Sequence, residues 1–167
     1  MSMAAYWEAI APLGRSSLSV SLRGDASGIQ RMRVEAGNAG EPHPDAAMAW
    51  TDVIAALAAW PGSETSPRDW TRHPAFPRGG TAFQRAVWSA LCELAPGETV
   101  GYGELARRVG RPRAARAIGQ AVGANPWAPL VPCHRVLAGD GSLGGYAGGT
   151  AVKAALLAVE GVAARPD

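Results

Sequence analysis

Residues 102–136 read YGELARRVGRPRAARAIGQAVGANPWAPLVPCHRV, and the second half of the chain takes its architecture from them. Tyr102, Leu105, Ala106 and Val109 recur at i, i+3, i+4 and i+7, the spacing of one helix face. Gly110 suits the residue that closes a helix, and Pro112 the first turn of the next. That second helix is expected from about Arg113 to Gly123, with Ala114, Ala117, Ile118, Ala121 and Val122 inward and Arg113, Arg116 and Gln120 outward. Two helices joined by a Gly-containing turn, the second with a basic face, fit a helix-turn-helix and equally an ordinary helical hairpin. Gly119 and Gly123 project beside Arg116. A face of small residues around one arginine lets the backbone lie close to a surface while one side chain probes into it.

Asn125-Pro126 end this unit, and Trp127 to Val131 form a short extended link into Pro132-Cys133-His134-Arg135. A thiol is a good nucleophile only as thiolate. A histidine can take its proton and a nearby cation can hold the charge. The doublet alone also fits a buried thiol beside an imidazole. Neighbours in an extended strand point to opposite faces, so Cys133 and His134 could share a proton only across a turn or through a water. Pro132 favours a departure from regular strand. Downstream, residues 139–149 are glycine-dense, which lets backbone approach a ligand closely. The last helix runs from near Thr150 through Lys153, Leu156 and Leu157 to Glu160, with Gly161 as its stop. Glu160 sits at the negative pole of that helix, which disfavours a carboxylate by a few tenths of a kcal/mol, roughly. A cationic or N–H donor partner would hold it there, and His134 is the candidate, because a carboxylate behind an imidazole fixes its tautomer.

The 167 residues are 47% hydrophobic and 18% charged, a globular composition large enough for a real core. No apolar run is long enough to span a membrane, and the N-terminus lacks a basic flank before an apolar stretch, so the expected compartment is the cytoplasm. Two cysteines 41 positions apart give neither a disulfide framework nor a metal pair; Cys92 reads as core and no metal or other cofactor is expected. Net charge is +2, from −2 over residues 1–75 (8 acids, 6 bases) and +4 over 76–167 (6 acids, 10 bases). Between Glu104 and Asp140 there is no acid but six arginines, 107, 108, 111, 113, 116 and 135, a patch that suits a polyanion or is simply solvated.

The first half is quieter. Leu18, Val20 and Leu22 alternate with polar residues as in a half-buried strand, 24–28 is a loop, and 29–34 is a second strand of a hairpin. Residues 42–44 break the chain, and Asp45 caps a helix through about Trp60, with Trp50, Val53, Ile54 and Leu57 on one face. Residues 61–80, with four prolines and three glycines, read as an irregular connection. Thr81 and Gln84 fit a capping box opening a helix striped by Phe83, Val87, Trp88 and Leu91, and Pro96-Gly97 is a turn.

Gly80-Thr81-Ala82-Phe83-Gln84, Val87-Trp88, Gly97-Glu98-Thr99-Val100, Tyr102 to Ala106, Ala115 to Gly119, Gly123 to Pro126, Pro132 to Val136, Gly145 to Gly149 and Leu156 to Glu160 follow in order. Together they resemble the O6-alkylguanine-DNA alkyltransferase (methylated-DNA–protein-cysteine methyltransferase) family, densely over 80–161. Before residue 80 only Ala11 to Gly14 is similar, to the family's first-strand turn. The resemblance implies an α/β (α+β) fold: an N-terminal RNase H-like lobe over 1–78 with a hairpin sheet and helix, and a mostly helical lobe over 79–167 that binds DNA and carries the active-site Cys loop. It implies that Cys133 takes the alkyl group from O6-alkylguanine once and irreversibly, with O4-alkylthymine a further substrate. His134, through a water, and Glu160 would keep Cys133 ionised. Asn125 would tie the turn before the nucleophile to the helix-turn-helix, and Tyr102 would lie near the base's N3. The carbonyls of Cys133 and Val136 would read the exocyclic amine, the Ala147 N–H would meet O6, and Tyr146 would pack on the base.

The same resemblance implies a partner, duplex DNA bound through its minor groove with the target nucleotide flipped out. Arg116 would fill the space the base leaves, Tyr102 would rotate the phosphate, and Gly103, Arg111, Ala117, Gly119 and Gly139 would complete the contact. The protein is expected to be a monomer. Position 147 is alanine where many members have serine, Trp127 is bulky enough to narrow the pocket, and the zinc-ligand cysteines of some members' first lobes are missing. Rival readings are a non-catalytic lesion-binding relative, a turnover Cys-His-Glu hydrolase, and a helix-turn-helix regulator. Cys133, the arginine-bearing helix and the lack of a dimerisation segment argue against them in that order.

Overall fold

The computed structural model describes residues 6–41, 43–62 and 69–165. Three antiparallel strands, β1 (Trp7–Pro12), β2 (Leu18–Asp25) and β3 (Gly28–Ala36), form a meander in sequence order. Alternation sets its faces. Val20, Leu22, Met32 and Val34 are buried, while Arg23, Arg31, Arg33 and Glu35 are exposed. The pairing shifts between Arg23 and Gly24, so Arg23 opposes Arg31 and Gly24 opposes Ile29. A Cβ at Gly24 would lie 2.1 Å from the Gly28 carbonyl oxygen, so only glycine fits this bulge. β1 ends where the resemblance at Ala11 to Gly14 implies a first-strand turn, but no periodicity marks it in the sequence. Its inward residues are Ala9 and Ala11, too small to mark an alternation.

The single helix expected over 45–60 is two, α1 (Pro44–Ala49) and α2 (Thr51–Ala58), with Trp50 capping both. The N-cap is His43, whose Nδ1 accepts from the Asp45 N–H, and Pro44 takes the first helical position. Trp50 still faces the core with Val53 and Leu57. The connection over 61–80 is partly ordered structure. Residues 63–68 lie outside the described residues, as does Pro42, but Trp70–Arg72 form a 3-10 turn capped by Asp69, and Trp70 and Phe76 are buried.

α3 (Ala82–Cys92) opens with the expected capping box, Thr81 and Gln84 each accepting from the other's N–H. β4 (Val100–Gly101) leads into α4 (Tyr102–Arg108), then α5 (Ala115–Gly123), and β5 (Val136–Leu137) pairs parallel with β4. α6 (Thr150–Val159) closes the fold. α5 starts two residues later than the spacing predicts, because Ala114 is its N-cap. Ala117 is exposed rather than inward, so the buried stripe of α5 is Ile118, Ala121 and Val122.

One hydrophobic core runs from the sheet through α3 to α6. Trp127 joins its two ends. Fully buried, it donates from Nε1 to the Ile29 carbonyl at 2.8 Å and packs against Phe76, His73 and Trp70. Met32 N–H donates to the Pro126 carbonyl at 2.7 Å beside it. Trp88 Nε1 likewise ties α3 to the Ala121 carbonyl of α5 at 2.9 Å. Burying a large side chain stabilises by about 1.5–3 kcal/mol, and these indoles also satisfy a carbonyl each. Trp127 therefore does not narrow the pocket, as its bulk suggested; it pins the sheet to the loop that leads to Cys133. No helix among the described residues is long and apolar enough to cross a membrane.

Candidate active site

Cys133–Arg135 form one 3-10 turn between Pro132 and β5. Successive side chains on such a turn diverge by roughly 120° rather than 180°. Cys133 thus faces a cavity of about 400 Å³ while His134 turns into the protein. Asn125 holds the approach to this turn. Its Nδ2 donates to the Val131 carbonyl at 2.7 Å, and its Oδ1 accepts from Trp127 N–H at 2.9 Å. Clamped at both ends, the loop after α5 cannot shift without moving the thiol.

Behind the thiol is a buried charge cluster centred on Glu160. His134 Nε2 lies 2.9 Å from Glu160 Oε1. Arg135 grips both carboxylate oxygens, with Nε at 3.1 and 3.0 Å and Nη2 at 2.6 Å, and its Nη1 donates to the Leu94 carbonyl at 2.5 Å. The Gly97 N–H adds a weak contact at 3.3 Å. Burial would push the Glu160 carboxyl up, but His134 and Arg135 win and hold it down at about 2. The carboxylate at the wrong end of α6 is thus explained by the expected His134 and by Arg135, which the sequence pattern placed in the surface arginine patch. A carboxylate at a helix C-terminus calls for a cation, and Arg135, next to His134 in the chain, is that cation.

Burial lowers the His134 pKa despite Glu160, so the ring rests neutral. With Nε2–H donated to the carboxylate, Nδ1 is a bare acceptor, and it is buried with no hydrogen-bond partner among the described residues. Trp60 packs edge-on against the ring at 5.7 Å. Burial pushes the Cys133 thiol up; the Asn125 amide, the Lys153 charge, its own N–H and the Tyr146 hydroxyl pull the other way. Lys153 is 1% exposed, and its ammonium donates to the carbonyls of Val136 (2.6 Å), Leu143 and Gly145 (3.3 Å). In sequence it reads as one more residue of an apolar helix face; nothing local marks it as the tether of the 136–145 loop.

Tyr102, Tyr146 and Ala147 line the cavity with Cys133 and Asn125. Burial, then Cys133, raises the Tyr102 and Tyr146 phenols, so both stay protonated donors. The Tyr102 ring lies against Gly119, where an added Cβ would sit 3.8 Å from it. Val136 does not line the cavity; its carbonyl is turned to Lys153. Gly119 and Gly123 of α5 form one rim. Arg116 and Ala117 are exposed on the same helix and Arg111 on the turn before it; Gly103 and Gly139 face open space. Arg107 and Arg108 pair with Glu104 and Glu98, and Arg135 is interior. The patch of six is therefore three unpaired cations among the described residues, Arg111, Arg113 and Arg116.

Residues 82–162 match the model of the 6-O-methylguanine DNA methyltransferase, DNA binding domain. A methylated-DNA–protein-cysteine methyltransferase of Methanosarcina acetivorans is 52% identical over 82 residues, covering 49% of this chain and 53% of that protein. One from Salmonella typhimurium is 55% identical over 83 residues, covering 50% and 48%. The match thus spans about half the length of these curated relatives. The solved O6-methylguanine methyltransferase of Mycobacterium tuberculosis aligns throughout, with TM-score 0.68, 35% identity, and coverage of 99% of this chain and 97% of that one. With nearly the whole of each chain aligned and residues 82–162 matched to the family's model, the chain belongs to the O6-methylguanine-DNA methyltransferase family.

Proposed function

We propose that the protein repairs DNA by moving the alkyl group of O6-alkylguanine to Cys133, once per molecule. The observation that carries this reading is the buried array of Glu160, His134 and Arg135 behind a thiol that opens on a cavity rimmed by α5. The thiol proton passes to His134 Nδ1, through a water. The Cys133 sulfur then attacks the alkyl carbon, the C–S bond forms as the C–O bond breaks, and the electron pair stays on the guanine. The base regains one proton, the equal of the one the thiol gave up. Tyr102, held protonated, is suited to steady the charge on the leaving base. Tyr146 and the N–H of Ala147 complete the base's seat. A thioether has no leaving path, so the acceptor is spent.

The target carbon is out of reach in a stacked duplex, so the nucleotide is extruded. Gly119, Gly123 and Ala117 let α5 lie close to a minor groove, Arg116 enters the stack, and Arg111, Gly103 and Gly139 meet the backbone. Residues 79–167 carry this work, the protein acts as a cytoplasmic monomer, and O4-alkylthymine is a second substrate. The decisive experiment is intact-protein mass after mixing with a duplex that bears one O6-methylguanine. One methyl gained on Cys133, saturating at one per molecule and absent in Cys133→Ser, is expected. Lesion binding with no mass gain would leave the non-catalytic alternative. Repair of many lesions per molecule would overturn the suicide mechanism.

A further inference from the structure

The cavity above Cys133 is charged in one place. Among the described residues that line it, Arg31 and Arg33 of β3 are the only ones with charged side chains; the glycine rim and the rest of the wall carry none. Spaced i, i+2, they share a face of the strand, and both are exposed. No carboxylate pairs with either among the described residues. Arg23, on the neighbouring strand opposite Arg31, is by contrast bound to Glu8 at 2.9 Å. Met32, between the two arginines, makes the bond to the Pro126 carbonyl that docks the sheet beside the nucleophile's loop. The pair therefore brackets the point where the first lobe meets the site.

Arg31 and Arg33 also line a second hollow of about 480 Å³ on the outer face of the sheet, so the two hollows meet at these side chains. Farther along that hollow lie the Glu8–Arg23 pair and Glu35, which accepts from Ser21 Oγ at 3.1 Å. Within these two hollows, unpaired positive charge among the described residues is thus confined to the junction. A nucleotide drawn into the cavity brings its backbone phosphates to the rim, and a phosphate losing water against glycines alone would be costly. We propose that Arg31 and Arg33 form a phosphate-binding rim, and that it holds a backbone phosphodiester of the strand whose nucleotide is extruded. This deepens the proposed function and rests on it.

The test is the affinity of a short duplex bearing one O6-methylguanine, measured by fluorescence anisotropy across salt concentrations, with Cys133→Ser present throughout so that the lesion persists. Arg31→Gln with Arg33→Gln is expected to weaken lesion binding about tenfold and to flatten the slope of log K against log salt by about 1 to 2, since each neutralised phosphate contributes about 0.9. Undamaged duplex should lose less. Arg31→Lys with Arg33→Lys should restore the slope, and Arg23→Gln should change neither quantity. An unaltered slope and affinity in the Gln pair, or an equal loss from Arg23→Gln, overturns the proposal. The parent reading has its own test: a protein with native Cys133 that takes up no methyl from this duplex refutes it. Methyl uptake with unaltered binding by the Gln pair refutes the rim alone.

Discussion

Cys92 and Cys133 are both buried free thiols, yet their surroundings differ in kind. Cys92 ends α3 in the core. Burial pushes its thiol up to about 12, the Asp69 charge adds to that, and the opposing backbone N–H groups of Trp70 and Thr71 and the Arg135 charge do not offset it. Cys133 is also raised by burial, but an amide, an ammonium and a phenol converge on it, and one side opens on a cavity. Burial alone makes a thiol inert. Burial combined with polar groups aimed at the sulfur makes one that can be switched on.

The largest contrast should be in alkylation by iodoacetamide. At pH 8 a thiol with a pKa of about 12 is ionised to roughly one part in ten thousand, about a thousandfold below an ordinary cysteine. Cys133 is expected to react at least about a hundredfold faster than Cys92, followed by peptide mass spectrometry. Comparable labelling of both in folded protein would erase the distinction.

Next in size is the charge cluster behind the turn that carries Cys133. Glu160→Gln leaves Arg135 buried without its counter-charge, and breaking a buried pair on one side costs about 3–5 kcal/mol. Urea denaturation should show that loss. Glu160→Gln combined with Arg135→Met should recover part of it while alkyl transfer stays slow, because His134 still lacks the carboxylate that fixes its tautomer. The acid limb follows the same cluster. Glu160 is lowered in the folded state, so its contribution is present above about 4.5 and is lost as pH falls toward 2. His134 is lowered too, so acid opposes the fold from below its ordinary 6.5. Stability that stays flat from pH 7 to 3 would contradict both.

These two regions also show what a sequence displays. Alternation revealed β2 and β3, and a capping box and helical spacing revealed α3, α4 and α5, because each is a local pattern several residues long. Cys133, His134 and Glu160 were legible as a motif plus a carboxylate at an unfavourable helix end. β4 and β5 are two residues each, too short for any period to register. The split at Trp50 was hidden because both halves keep their apolar residues on one face. Arg135 and Lys153 were obscured by chemistry: charged side chains read as surface until the carboxylate or carbonyls that surround them are in place. Trp127 acts through a contact about a hundred residues away in sequence, which no local pattern encodes.

Lys153 tests whether the polar shell is what separates the two thiols. Lys153→Met removes the buried cation and should move Cys133 toward the behaviour of Cys92. The pH–rate profile for methyl uptake should shift upward, and transfer at neutral pH should slow about three- to tenfold. A lower rate with an unmoved profile would mean that Lys153 serves only to tether the loop at Val136, Leu143 and Gly145.

The smallest effect concerns Cys92 itself and runs at the opposite end of the pH scale. A thiol raised in the folded state stabilises the fold fully below its unfolded value of about 9, and that contribution is lost as pH rises toward 12. A tenfold change in proton affinity is worth about 1.4 kcal/mol, so at pH 10 the loss is on the order of 1 kcal/mol. Cys92→Ala should therefore flatten the fall in melting temperature between pH 8 and 10, and Cys133→Ala should flatten it less, because the polar groups around Cys133 already accommodate part of the thiolate's charge. If the two variants flatten that limb equally, the folded protein resists charge at both sulfurs alike, and the reactivity of Cys133 must come from access to its cavity rather than from the groups that surround it.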